Sequence, residues 1–196
     1  IKPKAGDITM WKDTLIDVFD DADRADNIEQ YIAWCFQNQG DKAMWAPLWI
    51  SPKKGIGKNW ITNLLGECYG LRNFKPNLKE KFRRGFDYPN TCNFILISNH
   101  EDCMNIADDE RRYYIVKCTK TIRFRDYWKP RWEWALNDGK RFLMHHLQNI
   151  KIKDPDLYKE RAPITDDMKE LAKRSEHPIF KWLDEHRDAE TGPFKR

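Results

Sequence analysis

The stretch that decides how this chain folds is residues 48–59, LWISPKKGIGKN. Its first three residues are apolar, which is typical of a short buried strand. Residues 51–57 contain a proline and two glycines, which favours a loop. From Lys58 onward, apolar residues recur at helical spacing over residues 60–65. Strand, glycine-bearing loop, lysine and helix indicate a phosphate-binding loop, because backbone N–H groups, the helix dipole and the lysine charge converge on one concave space.

The match of this loop to the usual pattern G-x-x-x-x-G-K-[ST] is partial. Gly57 and Lys58 fit, but Pro52 takes the place of the first glycine. Asn59 takes the place of the hydroxyl residue that holds magnesium, and its amide oxygen can accept a hydrogen bond from a metal-bound water. The alternative is a lysine-rich surface turn between a strand and a helix. The predicted nucleotide-binding residues are Ser51, Lys54, Gly55, Ile56, Gly57, Lys58, Asn59 and Trp60.

Composition limits the class of protein. The 196 residues are 40% hydrophobic and 34% charged, enough for one packed core and a small appendage. The net charge of +4 is a weaker basic bias than that of a dedicated nucleic-acid-binding domain. No apolar run is long enough to span a membrane, and no signal peptide opens the chain. The five cysteines form no C-x-x-C pair, which favours reduced thiols in the cytoplasm over disulfides or zinc. Because the first residue is Ile1, we expect a fragment or a renumbered chain.

Two helices are predicted before the loop, and a basic hairpin after it. Apolar residues recur at helical spacing from residue 10 to 19 and from 28 to 36, and residues 1–8 have no such pattern and are expected to form a loose leader. In residues 72–90, aromatic residues alternate with polar ones around a glycine, which favours a hairpin. Either it is an ordinary solvated hairpin, or its cations contact nucleic-acid phosphates. The cations at its turn are Lys81, Arg83 and Arg84.

Residues 92–97, CNFILI, form the most apolar run and predict a central strand buried on both faces. The polar residues 98–102, SNHED, follow it, and ligands bind at the carboxyl ends of strands in α/β sheets. A charged cluster, DDERR, then precedes a strand predicted over residues 113–116. Its arginines, Arg111 and Arg112, either pair with the neighbouring acids or reach a phosphate, including one on a neighbouring subunit.

The last third of the chain is predicted to be helical. Its tryptophans, Trp128, Trp132 and Trp134, have helical spacing and favour a core position over a base-stacking surface. Thr165 is predicted to cap one helix, and another is predicted over residues 179–186. The sequence contains neither H-E-x-x-H nor G-x-S-x-G, so zinc and serine-nucleophile chemistry are not indicated.

Taken in order, WISPKKGIGKNW, the basic hairpin, NFILISNHED, DDERRYYIV and RAPITDDMKE resemble the superfamily 3 helicase domain of phage and plasmid primase-helicases. This resemblance covers roughly residues 10–186. It implies an α/β fold with an AAA+-like P-loop ATPase core around a central sheet, flanked by N-terminal and C-terminal helices. The implied cofactors are ATP and Mg²⁺, and the implied partners are single-stranded DNA, a hexameric ring of copies and a primase or polymerase domain in the same full-length chain. The location would be the cytoplasm of a bacterial host.

The resemblance also implies roles for individual residues. Lys58 would hold the ATP phosphates, and Asn99 would orient the attacking water. Arg111 or Arg112 would act as an arginine finger on the next subunit's ATP. The hairpin cations would track DNA, and Asn59 would contact magnesium through a bound water. The domains would be residues 1–45 (helical lead-in), 46–122 (ATPase core, with a segment missing between about 70 and 80) and 123–196 (C-terminal helices).

This sequence departs from that family at one point, because no apolar run ending in acids lies between the phosphate loop and Asn99. Such a strand positions magnesium and water. Three explanations stay open: the segment is absent from this chain, residues 94–102 are that strand with Glu101 and Asp102 as the acids, or catalysis is lost. The first is preferred. The leading hypothesis is an ATP-driven helicase module, and the alternatives are an inert DNA-binding or assembly module and a small-molecule kinase.

Overall fold

The computed structural model describes residues 1–70, 92–107, 109–119 and 121–175. Two helices come first, α1 (Thr9–Phe19) and α2 (Ala22–Gln37), followed by strand β1 (Ala46–Ile50) and helix α3 (Lys58–Tyr69). Two more strands follow, β2 (Leu96–Ser98) and β3 (Tyr113–Lys117). The remaining elements are α4 (Arg125–Trp134), a π-helical turn (Ala135–Gly139), α5 (Lys140–Asn149), a 3₁₀ turn (Asp156–Lys159) and α6 (Asp166–Ser175).

The three strands of the described residues form one parallel sheet in the order β2-β1-β3. Leu48 of β1 pairs with Leu96 of β2 on one side and with Ile115 of β3 on the other. Because parallel strands need crossover connections, helices cover both faces of the sheet. The α/β class predicted from the sequence is therefore confirmed, in the form of a small parallel sheet with helices.

Strand β1 is buried on both faces because its side chains alternate between two cores. Trp49 packs edge-on against Phe19 of α1, with ring centroids 5.1 Å apart, in the larger core. Leu48 and Ile50 belong to a second core, which α6 covers with Met168 and Leu171. The strand that carries the phosphate loop is therefore the centre of the described sheet.

The sequence predicted residues 92–97 as the central strand, whereas β1 is central in the described sheet. Of the run CNFILI, only its last two residues lie in β2, which is an edge of the described sheet. Ile97 is 37% exposed, whereas Trp49 is fully buried. The apolar composition of a run indicates that it pairs in a sheet, but not which strand lies at the centre.

The helical predictions near the N-terminus agree with the structure, but the loose leader does not. Asp21 caps α2 by accepting a hydrogen bond from the backbone N–H of Arg24. The leader lies against the C-terminal helices: the backbone N–H of Lys4 donates to the carbonyl of Arg141 at 3.1 Å. The indole N–H of Trp134 also donates to the carbonyl of Asp7. These long-range contacts leave no local sequence signal.

Two further predictions concern the C-terminal helices. Thr165 does cap α6, since its hydroxyl accepts from the backbone N–H of Met168 at 3.1 Å. The tryptophans of α4 lie at the margin of the core: Trp128 and Trp134 are half-buried and pack against the larger core, as predicted, whereas Trp132 is 41% exposed. The fully or almost fully buried tryptophans lie earlier in the chain, at Trp11, Trp34, Trp45, Trp49 and Trp60.

Several predictions fall outside the described residues. These are the basic hairpin of residues 72–90, with Lys81, Arg83 and Arg84, and the helix over residues 179–186. The three-domain division stays a prediction. In the part of the chain that is described, no helix is long and apolar enough to cross a membrane.

Candidate functional site: the loop between β1 and α3

The loop after β1 takes its shape from two glycines in the left-handed region of backbone space. Gly55 has φ +80° and Gly57 has φ +115°, values that side chains with a Cβ rarely adopt. Gly57 is also the N-cap of α3, and no side chain caps the helix there. The first turn of α3 therefore presents backbone N–H groups and the positive end of the helix dipole at the loop.

Lys58 is the first residue of α3 and is 5% exposed. Its amine donates hydrogen bonds to the carbonyl of Ser98 at 2.8 Å and to the side-chain oxygen of Asn99 at 3.0 Å. Burial lowers the pKa of Lys58 below the usual value for lysine. The ammonium is therefore held by neutral oxygens at the carboxyl end of β2, a position where an anion would be a stronger partner.

An open cavity of about 360 Å³ lies against this loop. Its polar side is formed by the loop, by Lys58 and by the amides of Asn59 and Asn99. The lining also includes aromatic and apolar side chains outside the loop, which we call the tryptophan wall: Trp60, Trp128, Trp132 and Ile97. The volume lies within the usual range for small-molecule sites, about 300–1,000 Å³.

The tryptophan wall joins α3 to α4. Trp60 lies 6.2 Å from Trp128 and 6.3 Å from Trp132 between ring centroids. Trp128 also covers the loop itself, since a Cβ added to Gly57 would lie 2.4 Å from its ring. Trp60 was among the predicted nucleotide-binding residues, but Trp128 and Trp132 were not, because helical spacing does not distinguish a residue facing the core from one facing a cavity.

The predicted nucleotide-binding residues are largely brought together. Lys54, Gly55, Ile56, Gly57, Lys58, Asn59 and Trp60 all line the cavity, and so does Asn99. Ser51 is not among the lining residues: it is fully buried, and its hydroxyl donates to the carbonyl of Lys53 at 2.9 Å. Ser51 therefore stabilises the loop conformation by bonding to its backbone, and does not contact the cavity.

Arg111 and Arg112 lie far from the cavity of their own chain. They precede β3, whose first residue pairs with Ala46, whereas the loop follows the other end of β1. The length of β1 separates the two sites by about 13 Å at 3.3 Å per residue. Both side chains are exposed, and the backbone N–H groups of both arginines donate to Glu110. The side chain of Arg112 also lies 4.0 Å from the Glu110 carboxylate, as in the predicted pairing with the neighbouring acids, and neither arginine lines the nucleotide site of the same chain.

The acids considered as magnesium ligands are not gathered at the loop. Glu101 forms an ion pair with Arg174 of α6, and Asp102 is exposed. Across the described ranges, no group of three or more His, Cys, Asp or Glu residues is placed to hold a metal ion. Asn59 lines the cavity as an exposed amide in the first turn of α3.

Comparisons of sequence and of structure with known proteins both point to a phage replication protein. No protein-family model matches the chain. A DNA primase-polymerase of Nitratiruptor phage NrS-1 is 28% identical over 96 residues, which are 48% of this chain and 12% of the phage protein. The apo A-form structure of the NrS-1 C-terminal region superimposes with a TM-score of 0.74 and 19% identity over 96% of this chain. This chain has the fold of the part of that region that it matches.

Two more structures of the NrS-1 C-terminal region agree. One has a TM-score of 0.72 at 20% identity, and another A-form apo structure has 0.74 at 21% identity. The chain spans about 56% of the solved region that it matches. Identities at this level establish a shared fold, and the activity of the whole phage protein does not transfer with it.

Proposed function

We propose that this chain is a nucleoside-triphosphate-binding module of a phage-type DNA replication protein, and that it works as an ATP-dependent helicase on single-stranded DNA. The observation that carries the proposal is the position of Lys58. Lys58 is the first residue of a helix that has no side-chain N-cap, and it follows a loop with two glycines in the left-handed backbone region. It also lines the cavity. These are the physical components of a triphosphate site.

The similarity to a phage primase-polymerase supports a role in DNA replication. The resemblance to superfamily 3 helicases supports ATP as the nucleotide that is hydrolysed. In this proposal, Lys58 and the backbone of residues 55–59 bind the phosphates, and Asn99 faces the terminal phosphate. Mg²⁺ enters with the nucleotide, with Asn59 reaching it through a water. The carboxylates that such an ion needs are not supplied at the loop by the described residues.

A ring of copies would give the arginine pair a function. Arg111 and Arg112 are exposed at the end of the sheet opposite the loop, so a neighbouring copy can present them to this chain's cavity. A charge supplied from the next subunit stabilises the transition state of phosphoryl transfer. The proposed assembly is a hexamer, with a primase or polymerase domain in the full-length chain.

The test is ATP binding and hydrolysis, with and without single-stranded DNA, by the wild type and by Lys58→Ala. The matched control is Lys173→Ala, which removes an exposed lysine of α6 that does not line the cavity. Lys58→Ala should abolish turnover and weaken ATP binding at least tenfold, since a charge-assisted contact to phosphate contributes about 1.5–3 kcal/mol. Equal ATP binding by the wild type and Lys58→Ala would exclude the proposed site.

A second function, an inert DNA-binding or assembly module, is favoured by one observation. The Lys58 amine is already bound by Ser98 and Asn99, and no acidic cluster lies beside it in the described chain. Such a module would bind single-stranded DNA with a strong dependence on salt and no dependence on nucleotide. ATP that raises or lowers the affinity for DNA would exclude it.

A further inference from the structure

The cavity is lined by two chemically different sets of residues, and this division carries an inference about what binds there. One set offers an ammonium, backbone N–H groups and two amides, and the other is the tryptophan wall. A nucleotide has the same division, with charged phosphates at one end and a flat aromatic base at the other. We propose that Trp128 and Trp132 hold the nucleobase by stacking; this inference rests on the proposed triphosphate site.

The exposure of the wall distinguishes it from ordinary core packing. Trp132 is 41% exposed, whereas Trp60, against which it packs, is 3% exposed. Trp128 is half-buried and packs against Trp60, with ring centroids 6.2 Å apart. An indole left open to water beside a polar loop loses hydrophobic stabilisation that a planar ligand would restore.

Contacts behind the wall hold α4 in place. The guanidinium of Arg131 stacks on the ring of Tyr127 at 3.5 Å, and its Nε donates to Thr14 of α1 at 2.8 Å. The hydroxyl of Tyr127 donates to Asp17 at 2.5 Å. These contacts tie α4 to α1, so the wall is formed before any ligand arrives, which reduces the entropic cost of binding.

The hydrogen bonding of Trp128 predicts how the base is selected. Its indole N–H donates to the carbonyl of Arg123 at 3.1 Å, so this donor is already used. Recognition by ring faces depends on the area of the base and not on its edge. The site should therefore bind ATP and GTP with similar affinity, and CTP and UTP more weakly.

The experiment compares ATP with inorganic tripolyphosphate, which has the phosphates but no base. Trp132→Ala should weaken ATP binding about tenfold, as expected for the loss of one stacked base, and leave tripolyphosphate binding unchanged. Trp132→Phe should restore most of the ATP affinity. The control is Phe124→Ala, which removes an exposed aromatic side chain (77% exposed) that does not line the cavity.

The outcomes separate this inference from the function on which it rests. If Trp132→Ala binds ATP as tightly as the wild type, or loses single-stranded DNA binding instead, the base-stacking assignment is wrong and the triphosphate site stands. If the wild type binds neither ATP nor tripolyphosphate, the triphosphate site is wrong and the assignment fails with it. Circular dichroism of each variant shows whether a loss reflects unfolding.

Discussion

The amine of Lys58 donates a hydrogen bond to the side-chain oxygen of Asn99 over 3.0 Å, which connects the start of α3 to the end of β2. The same amine is bound to the carbonyl of Ser98. A phosphate that binds at the loop must compete with these two oxygens for the lysine. Nucleotide affinity therefore depends on the residues at the end of β2.

This relationship predicts unequal effects on ATP affinity for two substitutions at Asn99. Asn99→Asp should weaken ATP binding at least tenfold, because the new carboxylate pairs with Lys58 and repels the phosphates. Asn99→Ala should change ATP affinity less than threefold while reducing turnover. Isothermal titration with ATP measures both effects. Equal affinities of the two variants would show that the Lys58–Asn99 contact does not control the site.

Gly57 should tolerate no side chain. Its φ of +115° is strained for an L residue, and a Cβ there would lie 2.4 Å from the Trp128 ring. We expect Gly57→Ala to lower the free energy of unfolding by about 2–4 kcal/mol, from backbone strain plus the clash. Chemical denaturation measures it.

The control for this change is Gly40→Ala. Gly40 has a similar φ of +108°, but a Cβ there meets nothing within 4 Å. The free energy of unfolding of Gly40→Ala should fall by the cost of backbone strain alone, about 1–2 kcal/mol. If the two variants lose equal stability, the ring of Trp128 does not pack closely against Gly57.

Glu29 should make the fold sensitive to acid. It is 4% exposed, and the indole N–H of Trp11 donates to it at 2.7 Å while His146 Nε2 lies 3.0 Å away. Burial by itself would raise the pKa of Glu29, but the contacts with His146 and Trp11 outweigh it and the pKa is lowered. The stabilisation is therefore present above the unfolded value of about 4.5 and is lost as the pH falls through the folded pKa.

We expect Glu29→Gln to lower the free energy of unfolding by about 1–3 kcal/mol at pH 7 and to flatten its decline below pH 4.5. Glu133→Gln, on the exposed face of α4, is the control. Urea denaturation at a series of pH values measures both variants. An unchanged acid slope in Glu29→Gln would mean that another group controls the transition.

The arginine pair should act between subunits if the proposed ring forms. Lys58→Ala and Arg112→Ala should each lack ATP turnover alone. A mixture should recover part of it, because some interfaces then combine an intact loop with an intact arginine. Arg111→Ala in place of Arg112→Ala identifies which arginine acts. No recovery with either arginine variant, in mixtures shown to co-assemble, would place the arginines outside catalysis.

Local sequence signals predicted the parts of the fold that depend on near neighbours. The helical spacing of α1 and α2, the glycine loop before Lys58 and the Thr165 cap each depend on contacts within a few residues. The meeting of Lys58 and Asn99 followed from their positions after two strands, since the carboxyl ends of parallel strands lie at one edge of a sheet.

The rest of the architecture depends on distant contacts. The apolar run before Ser98 did not indicate that β2 is an edge of the described sheet, because strand order depends on chain connectivity. The leader was expected to be loose, yet it lies on α5 through the Lys4–Arg141 contact. The spacing of Trp128 and Trp132 fits a core and a cavity wall equally well, and only the placement of α4 decides between them.

The arrangement of indoles around the loop has a practical consequence. Trp60 is buried, Trp132 is open to water and Trp128 touches the loop, so the three rings have different polarity and different access to a quencher. A molecule that binds against Trp132 in the cavity displaces solvent from its ring. The site therefore carries its own optical reporter: emission wavelength and iodide quenching can follow occupancy in the unlabelled protein, and Trp132→Phe identifies the responding ring.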